Sequence, residues 1–333
     1  MSGSTTLTVI GAGSWGTALA IVLAPRFERV RLWAHDDGLA AQIQSTRVNE
    51  TYLPGFTLPA SVEATDSLQQ ATADASTVLL VVPSRFLRSV VRQLKPHLRG
   101  GEDLVSATKG IEDGTLARMS QVIREESGSS TPVAVLSGPT FAREIARGEP
   151  AAVVIASDDD TQAGRIQRQF SGPTLRLYTN SDPVGVEIGA ALKNVVAIGA
   201  GIVQGLGLGN NTTAALVTRG LAEITRLAVA AGGRPETLAG LAGLGDLLLT
   251  CTGDLSRNRR VGIELAQGRT LQEILGATKM IPEGVDTVAA AVQLAARLGV
   301  EMPIARQMDH VLRSGKSPKD AVRELMDRAL RSE

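Results

Sequence analysis

The apolar segment Leu7–Ile10 runs directly into Gly11-Ala12-Gly13-Ser14-Trp15-Gly16, and the helix-length segment Trp15–Leu23 follows. A buried strand, a G-x-G-x-x-G turn and a helix, in that order, leave few folds open. The three glycines serve different ends. Gly11 permits the tight turn, Gly13 lets backbone approach a pyrophosphate, and Gly16 allows close helix packing. The helix that follows would aim its free N–H groups and positive dipole end at phosphates. Glycine-rich turns are common, and the bland alternative is a structural turn. The strand before and the helix after are the context in which this spacing means dinucleotide binding.

The rest of the first half repeats the theme. Apolar runs at Val30–Ala34, Thr77–Val82, Leu104–Ala107, Val133–Leu136 and Ala151–Ala156 read as strands, separated by helix-length segments such as Phe86–Leu94. Continuous runs like Val78-Leu79-Leu80-Val81-Val82 suit strands covered on both faces. Strand–helix alternation implies βαβ crossovers, hence an α/β Rossmann-type, mostly parallel sheet. With aromatics at 3%, the cores must be aliphatic. Near residue 180 the period changes. Asp182-Pro183 offers a helix start, and Val184, Ile188, Leu192, Val195 and Val196 recur at helical spacing. Helical segments are expected at about 212–231, 236–242, 258–267, 270–276, 284–297, 303–314 and 318–330, without a convincing strand. The expected organisation is a dinucleotide-binding domain over 1–181 and an all-helical substrate domain over 182–333.

Several function classes are disfavoured. Lys plus Arg and Asp plus Glu both number 34, so no global charge recruits nucleic acid or an anionic membrane. Cys251 is the single cysteine, which rules out a disulfide framework and fits a reducing cytoplasm. The first residues lack the basic and apolar regions of a secretory signal. Asn194–Thr218 carries no charge but is broken by Gln204, Asn210, Asn211 and glycines, so a buried core helix followed by a loop is expected rather than an integral membrane span. No metal site is expected.

Whether the dinucleotide carries a 2′-phosphate is undecided by the residues alone. The second strand ends Trp33-Ala34-His35-Asp36-Asp37. An acid here would take the ribose hydroxyls of NAD, whereas His35, helped by Arg31, would hold the 2′-phosphate of NADP. Asp36 and Asp37 would equally well begin the next helix. The reading leans to NADP, with NAD open.

Reducing a carbonyl by hydride transfer needs a proton donor and positive groups beside the developing alkoxide. Lys193 and Asn194 stand in an otherwise apolar helix, and Lys109 follows a strand, near the sheet edge where open α/β folds bind ligands. Gly243-Leu244-Gly245-Asp246 reads as a glycine-rich turn with one carboxylate. Ser256-Arg257-Asn258-Arg259-Arg260 is a basic and amide cluster suited to phosphate. Each has a plainer alternative: a snorkelling lysine, a loop cation, a helix cap, a solvated helix start. Residue chemistry alone reaches a dinucleotide-linked oxidoreductase and no particular substrate.

The segments GAGSWG (Gly11–Gly16), KGIE (Lys109–Glu112), SGPTFARE (Ser137–Glu144), ALKNVVAIGAG (Ala191–Gly201), GLGLGNN (Gly205–Asn211), GLGDLLLTC (Gly243–Cys251) and SRNR (Ser256–Arg259) together resemble the soluble NAD(P)-dependent glycerol-3-phosphate dehydrogenases, especially the bacterial type. That resemblance implies reversible reduction of dihydroxyacetone phosphate to glycerol 3-phosphate, supplying glycerophospholipid synthesis. It makes Lys193 the general acid/base, with Lys109 and Asp246 completing the polar site around the carbonyl. Asn194, Gly138, Thr140, Ser256, Arg257 and Asn258 would bind substrate. Gly11, Gly13, Ser14, Trp15, Gly16, His35, Lys109, Ala142, Arg257, Ile281 and Glu283 match cofactor-contacting positions. A second lysine nearby and burial would both lower the pKa of Lys193. Faces of the helical domain could support a homodimer.

Overall fold

The computed structural model describes residues 5–128, 133–278, 280 and 282–329. Ile281, expected to contact cofactor, lies outside the described residues. The chain divides into two compact units. The first comprises residues up to Lys109 and Met119–Pro183, the second Gly110–Arg118 and the chain from Val184 onward.

In the first unit, the described residues form a sheet of eight strands, β1 (Thr6–Ile10), β2 (Arg29–Trp33), β3 (Val62–Thr65), β4 (Thr77–Leu80), β5 (Asp103–Ser106), β6 (Val133–Ser137), β7 (Ala151–Ala156) and β8 (Leu175–Asn180). Their order is β8-β7-β6-β5-β4-β1-β2-β3. Neighbours from β3 to β6 are parallel, β7 runs antiparallel to β6, and β8 is parallel to β7. The expected fold class, a mostly parallel sheet followed by helices, is the one the chain adopts. β1, β4, β5 and β6 are buried along their whole length, as strands covered on both faces are. β3 and β8, absent from the sequence expectation, are edge strands with half-exposed faces. A short antiparallel hairpin, Val48–Asn49 with Leu53–Thr57, was likewise not foreseen.

The topology defines one functional edge. From β1 the chain moves outward to β2 and β3 on one side, then returns to β4, β5 and β6 on the other. Ile10 is level with Trp33 and Leu80, and Leu80 with Ser106, so the carboxyl ends of these strands align. Ligands of open α/β sheets bind at such a switch point, beyond the carboxyl ends.

From Val184 onward the described residues of the second unit form helices joined by short connections. Its centre is the helix Pro183–Gly205, long and apolar enough to cross a membrane by length and composition, whose apolar window is wholly buried within the protein. It carries Ile188, Leu192, Val195, Ile198 and Ile202 into an aliphatic core shared with Leu227, Leu247, Val288 and Met308. The helix Arg257–Ala266 lies against it through small residues. A Cβ at Gly262 would fall 1.9 Å from the Ile198 carbonyl oxygen, so only glycine permits this approach.

The excursion Gly110–Arg118 belongs to the second unit, although the expected boundary after Ser181 leaves it in the first. Ile111 and Leu116 enter the helical core, and Arg118 forms a hydrogen-bonded ion pair with the buried Glu187. These contacts outweigh proximity in sequence. Lys109 is therefore the last residue before the chain crosses over.

Candidate functional site

The glycine turn has the geometry its spacing predicts. Gly11 follows β1 with φ +119°, and its N–H donates to the Trp33 carbonyl at 3.0 Å. A Cβ at Gly16 would lie 1.9 Å from the Gly11 carbonyl oxygen. Gly13 differs: a Cβ there would meet nothing within 4 Å. Packing within the protein does not demand glycine at 13, whereas close approach of a pyrophosphate would. The helix Ser14–Leu23 starts with no side-chain cap and no acidic residue in its first turn. Its N–H groups thus stay open to an anion. The indole N–H of Trp15 is buried without a hydrogen-bond partner among the described residues. These features fit a dinucleotide.

One supporting residue escaped the sequence reading. Asn49, fully buried in the hairpin, donates from Nδ2 to the Ala12 carbonyl and to Thr17 Oγ1, each at 2.8 Å. Its Oδ1 accepts from the Tyr52 N–H at 3.1 Å. The amide therefore holds the glycine turn against the helix behind it. Only its place in a short polar stretch between elements would have hinted at this role.

At the end of β2, Asp36 is a helix cap, its carboxylate accepting from the Leu39 N–H at 3.0 Å. Arg31 is paired with Asp74, and more loosely with Glu63 at 3.8 Å. His35 is exposed, with its ring 5.8 Å from that of Trp33.

Lys109, Gly138 and Thr140 come together beyond β5 and β6. The Lys109 ammonium donates to the Gly138 carbonyl at 3.4 Å, and Thr140 Oγ1 donates to the same oxygen at 3.0 Å. Ala142 opens the short helix Ala142–Ala146 immediately afterwards.

In the helical unit, Lys193 is 6% exposed and donates to Asp246 Oδ1 at 2.5 Å and to Thr250 Oγ1 at 2.8 Å. Asp246 is completely buried. The segment expected as a glycine-rich turn is instead a π-helical turn, Leu241–Gly245, continuing as the helix Asp246–Thr252. This continuation matters, because it sets Asp246 and Thr250 one turn apart on one face. Thr250 was not foreseen, and its i+4 spacing from Asp246 was the available signal. An ammonium ready to give up a proton to an alkoxide is what carbonyl reduction requires.

Cys251, next on the same helix, is 2% exposed, and burial pushes its thiol up to about 12. It packs as a small apolar residue.

The basic cluster divides by role. Ser256 caps the helix Arg257–Ala266, its hydroxyl accepting from the Arg259 N–H at 3.2 Å. Arg259 is engaged with Asp254 at 2.9 Å, and Asn258 is buried. Arg257 is exposed in the first turn, whose N–H groups add positive potential. Glu283 opens the helix Glu283–Arg297. Among the described residues, no group of three or more His, Cys, Asp or Glu could hold a metal ion.

Comparison with known proteins accords with this arrangement. Residues 6–163 match the family model for the N-terminus of NAD-dependent glycerol-3-phosphate dehydrogenase, and residues 182–323 that for its C-terminus. The chain is 55% identical over 326 residues to glycerol-3-phosphate dehydrogenase [NAD(P)+] of Koribacter versatilis, covering 97% of each. It is 52% identical to the protein of that name from Geobacter sulfurreducens, covering 98% of each. The crystal structure of glycerol-3-phosphate dehydrogenase from Coxiella burnetii superposes with a TM-score of 0.94 at 39% identity, over 98% of this chain and 99% of that one. Motif order, fold and similarity along almost the whole length agree: the chain belongs to the NAD-dependent glycerol-3-phosphate dehydrogenase family.

Proposed function

We propose that this protein catalyses reversible reduction of dihydroxyacetone phosphate to glycerol 3-phosphate with NADPH or NADH, NADPH being favoured. The observation that carries the reading is the buried Lys193 ammonium, held by Asp246 and Thr250 one helical turn apart. A charge this deep in an aliphatic core is costly, and a chain that retains it has a use for the proton. The names of the relatives supply the substrate.

When bound, the nicotinamide supplies the hydride. The chain's own residues do the rest. Lys193 protonates the nascent alkoxide at the substrate's central oxygen, and Asp246 and Thr250 aim its ammonium. Lys109 contributes a second positive charge, with Gly138 and Thr140 beside it on the substrate side. Arg257 clamps the substrate phosphate and reaches the cofactor, and the capped start of its helix adds backbone N–H groups. Asn194 orients the substrate. Gly11, Gly13, Ser14, Trp15 and Gly16 hold the pyrophosphate, and Ala142 and Glu283 complete the cofactor contacts.

The NADPH preference rests on the end of β2. Asp36 is spent on a helix cap and Arg31 on Asp74, which leaves His35 to meet a 2′-phosphate. The same proposal includes a cytoplasmic enzyme whose product feeds glycerophospholipid synthesis. It also includes a homodimer through the helical unit, where Leu244 and Leu248 are exposed.

The deciding experiment follows absorbance at 340 nm with dihydroxyacetone phosphate and either reduced cofactor. Rapid loss of absorbance supports the reading. Absence of turnover with both, in protein that binds them, would redirect it to a carboxylate substrate and remove the phosphate role of Arg257.

A further inference from the structure

Asn49 is completely buried, and the oxygen and NH2 of its amide are all engaged within the first unit. The orientation of that amide follows from elementary chemistry. The Tyr52 N–H can only donate, so the Asn49 atom that faces it at 3.1 Å is the oxygen. The NH2 is thereby turned to the Ala12 carbonyl and to Thr17 Oγ1, each at 2.8 Å. One side chain from the hairpin thus joins the glycine turn to the helix Ser14–Leu23.

The bond to Ala12 also acts on the far side of the same peptide. A peptide unit is planar and trans, so its carbonyl and its N–H point in opposite directions. No cis bond occurs among the described residues. Drawing the Ala12 carbonyl toward the buried Asn49 therefore turns the Gly13 N–H the other way. Among the described residues that N–H donates to no acceptor, and the space beside Gly13 is open, since a Cβ there would meet nothing within 4 Å. The next peptide is fixed as well, because the Thr17 N–H donates to the Gly13 carbonyl at 2.9 Å. Both peptides that flank Gly13 are held from behind, and a donor is left facing outward.

We infer that Asn49 is a positioning residue for the dinucleotide, holding the Ala12–Gly13 peptide so that the Gly13 N–H faces the pyrophosphate. This rests on the reading above, in which the glycine turn holds that pyrophosphate. Being completely buried, Asn49 acts through the peptide rather than by contact. The donor keeps its direction before any ligand arrives, so binding is spared the cost of ordering it. Asp has the same shape but offers no donor at this site. It would set a carboxylate oxygen against the Ala12 carbonyl, acceptor to acceptor, and release the plane. NADPH, NADH and ADP-ribose share the pyrophosphate, so the effect falls on all three alike, unlike that of His35, which concerns the 2′-phosphate alone.

The test is Asn49→Asp in the full chain, with binding measured by calorimetry and the Gly13 amide followed by NMR. NADPH, NADH and ADP-ribose should each bind about tenfold more weakly, the loss of one hydrogen bond to a charged ligand. The KM for NADPH should rise by the same factor, while kcat at saturating cofactor and the KM for dihydroxyacetone phosphate change by less than about twofold. In the wild type, saturating ADP-ribose should move the Gly13 amide proton downfield, and in the variant that shift should be lost. Unchanged affinity for the three ligands would overturn the inference. So would a fall in kcat with cofactor affinity intact, which is what a merely weakened fold would give. A Gly13 amide that ADP-ribose leaves unmoved in the wild type would remove the glycine-turn reading and this inference with it. A shift that persists in Asn49→Asp would sink the inference alone. Should that variant fail to fold, Asn49→Ser, too short to bridge both partners, is measured with the same expectations.

Discussion

Lys193 and Asp246 are 53 residues apart in the chain, yet the ammonium of one lies 2.5 Å from the carboxylate of the other, both buried. A buried pair of this kind is weak evidence for stability, because desolvation offsets most of the attraction. Two sets of variants test whether the pair serves catalysis or stability. Lys193→Ala should lose at least two orders of magnitude in kcat, the lower end of the usual acid–base contribution of about 10²–10⁴-fold. Asp246→Leu alone should cost roughly 3 kcal/mol of stability by stranding the ammonium. Combining it with Lys193→Met should restore most of that stability with no activity. Denaturant melts and single-turnover rates measure both, and near-native turnover in Lys193→Ala would end the assignment.

Arg257 is exposed while its neighbour Arg259 is tied to Asp254. Arg257→Ala should raise the KM for dihydroxyacetone phosphate by at least about tenfold, as expected for a lost charge-assisted phosphate bond. Steady-state kinetics with the substrate varied checks this. An unchanged KM would mean that phosphate is held elsewhere.

For the cofactor, His35→Ala should raise the KM for NADPH by about tenfold and that for NADH by less than about twofold, since only NADPH carries the 2′-phosphate. Equal effects on both would assign His35 to adenine stacking instead.

Glu223 is 3% exposed and accepts N–H bonds from Ile304 at 2.7 Å and Ala305 at 3.3 Å, at the start of the helix Pro303–Arg313. Burial pushes its carboxyl up from 4.5 to about 7. Below about pH 4.5, folded and unfolded chains both hold the proton. Between there and about pH 7 only the folded chain keeps it, so stability from this group falls as pH rises and then levels off. The loss amounts to roughly 3 kcal/mol at 1.36 kcal/mol per pKa unit. Glu223→Gln should flatten the change in Tm across this range, as scanning calorimetry at several pH values would reveal. A slope identical to wild type would place the titration elsewhere.

Reading the sequence was most successful where structure is local. A run such as Val78–Leu80 needs cover on both faces wherever it lies, and the glycine turn after Ile10 carries its own geometry, so the Rossmann-type sheet and the period of the long helix were legible. β3 and β8 were not, because edge strands with one face in solvent have no continuous apolar run. Gly243-Leu244-Gly245 resembled a turn because glycine is a poor helix former. Packing of Leu247 into the core overrode that preference and extended the helix through Thr250.

The sequence by itself determined the buried strands, the period of the long helix, the glycine-rich turn after β1 and the residue types gathered around Lys193. Tertiary structure decided the partnerships: Lys193 with Asp246 and Thr250, Asn194 with Asn258 and Gly284, Asn49 with the glycine turn, and Gly110–Arg118 with the helical unit. Periodicity reports which face of an element is buried, but not which distant element buries it. That choice comes from close packing, and at Gly262 and Gly284 from the absence of a single Cβ.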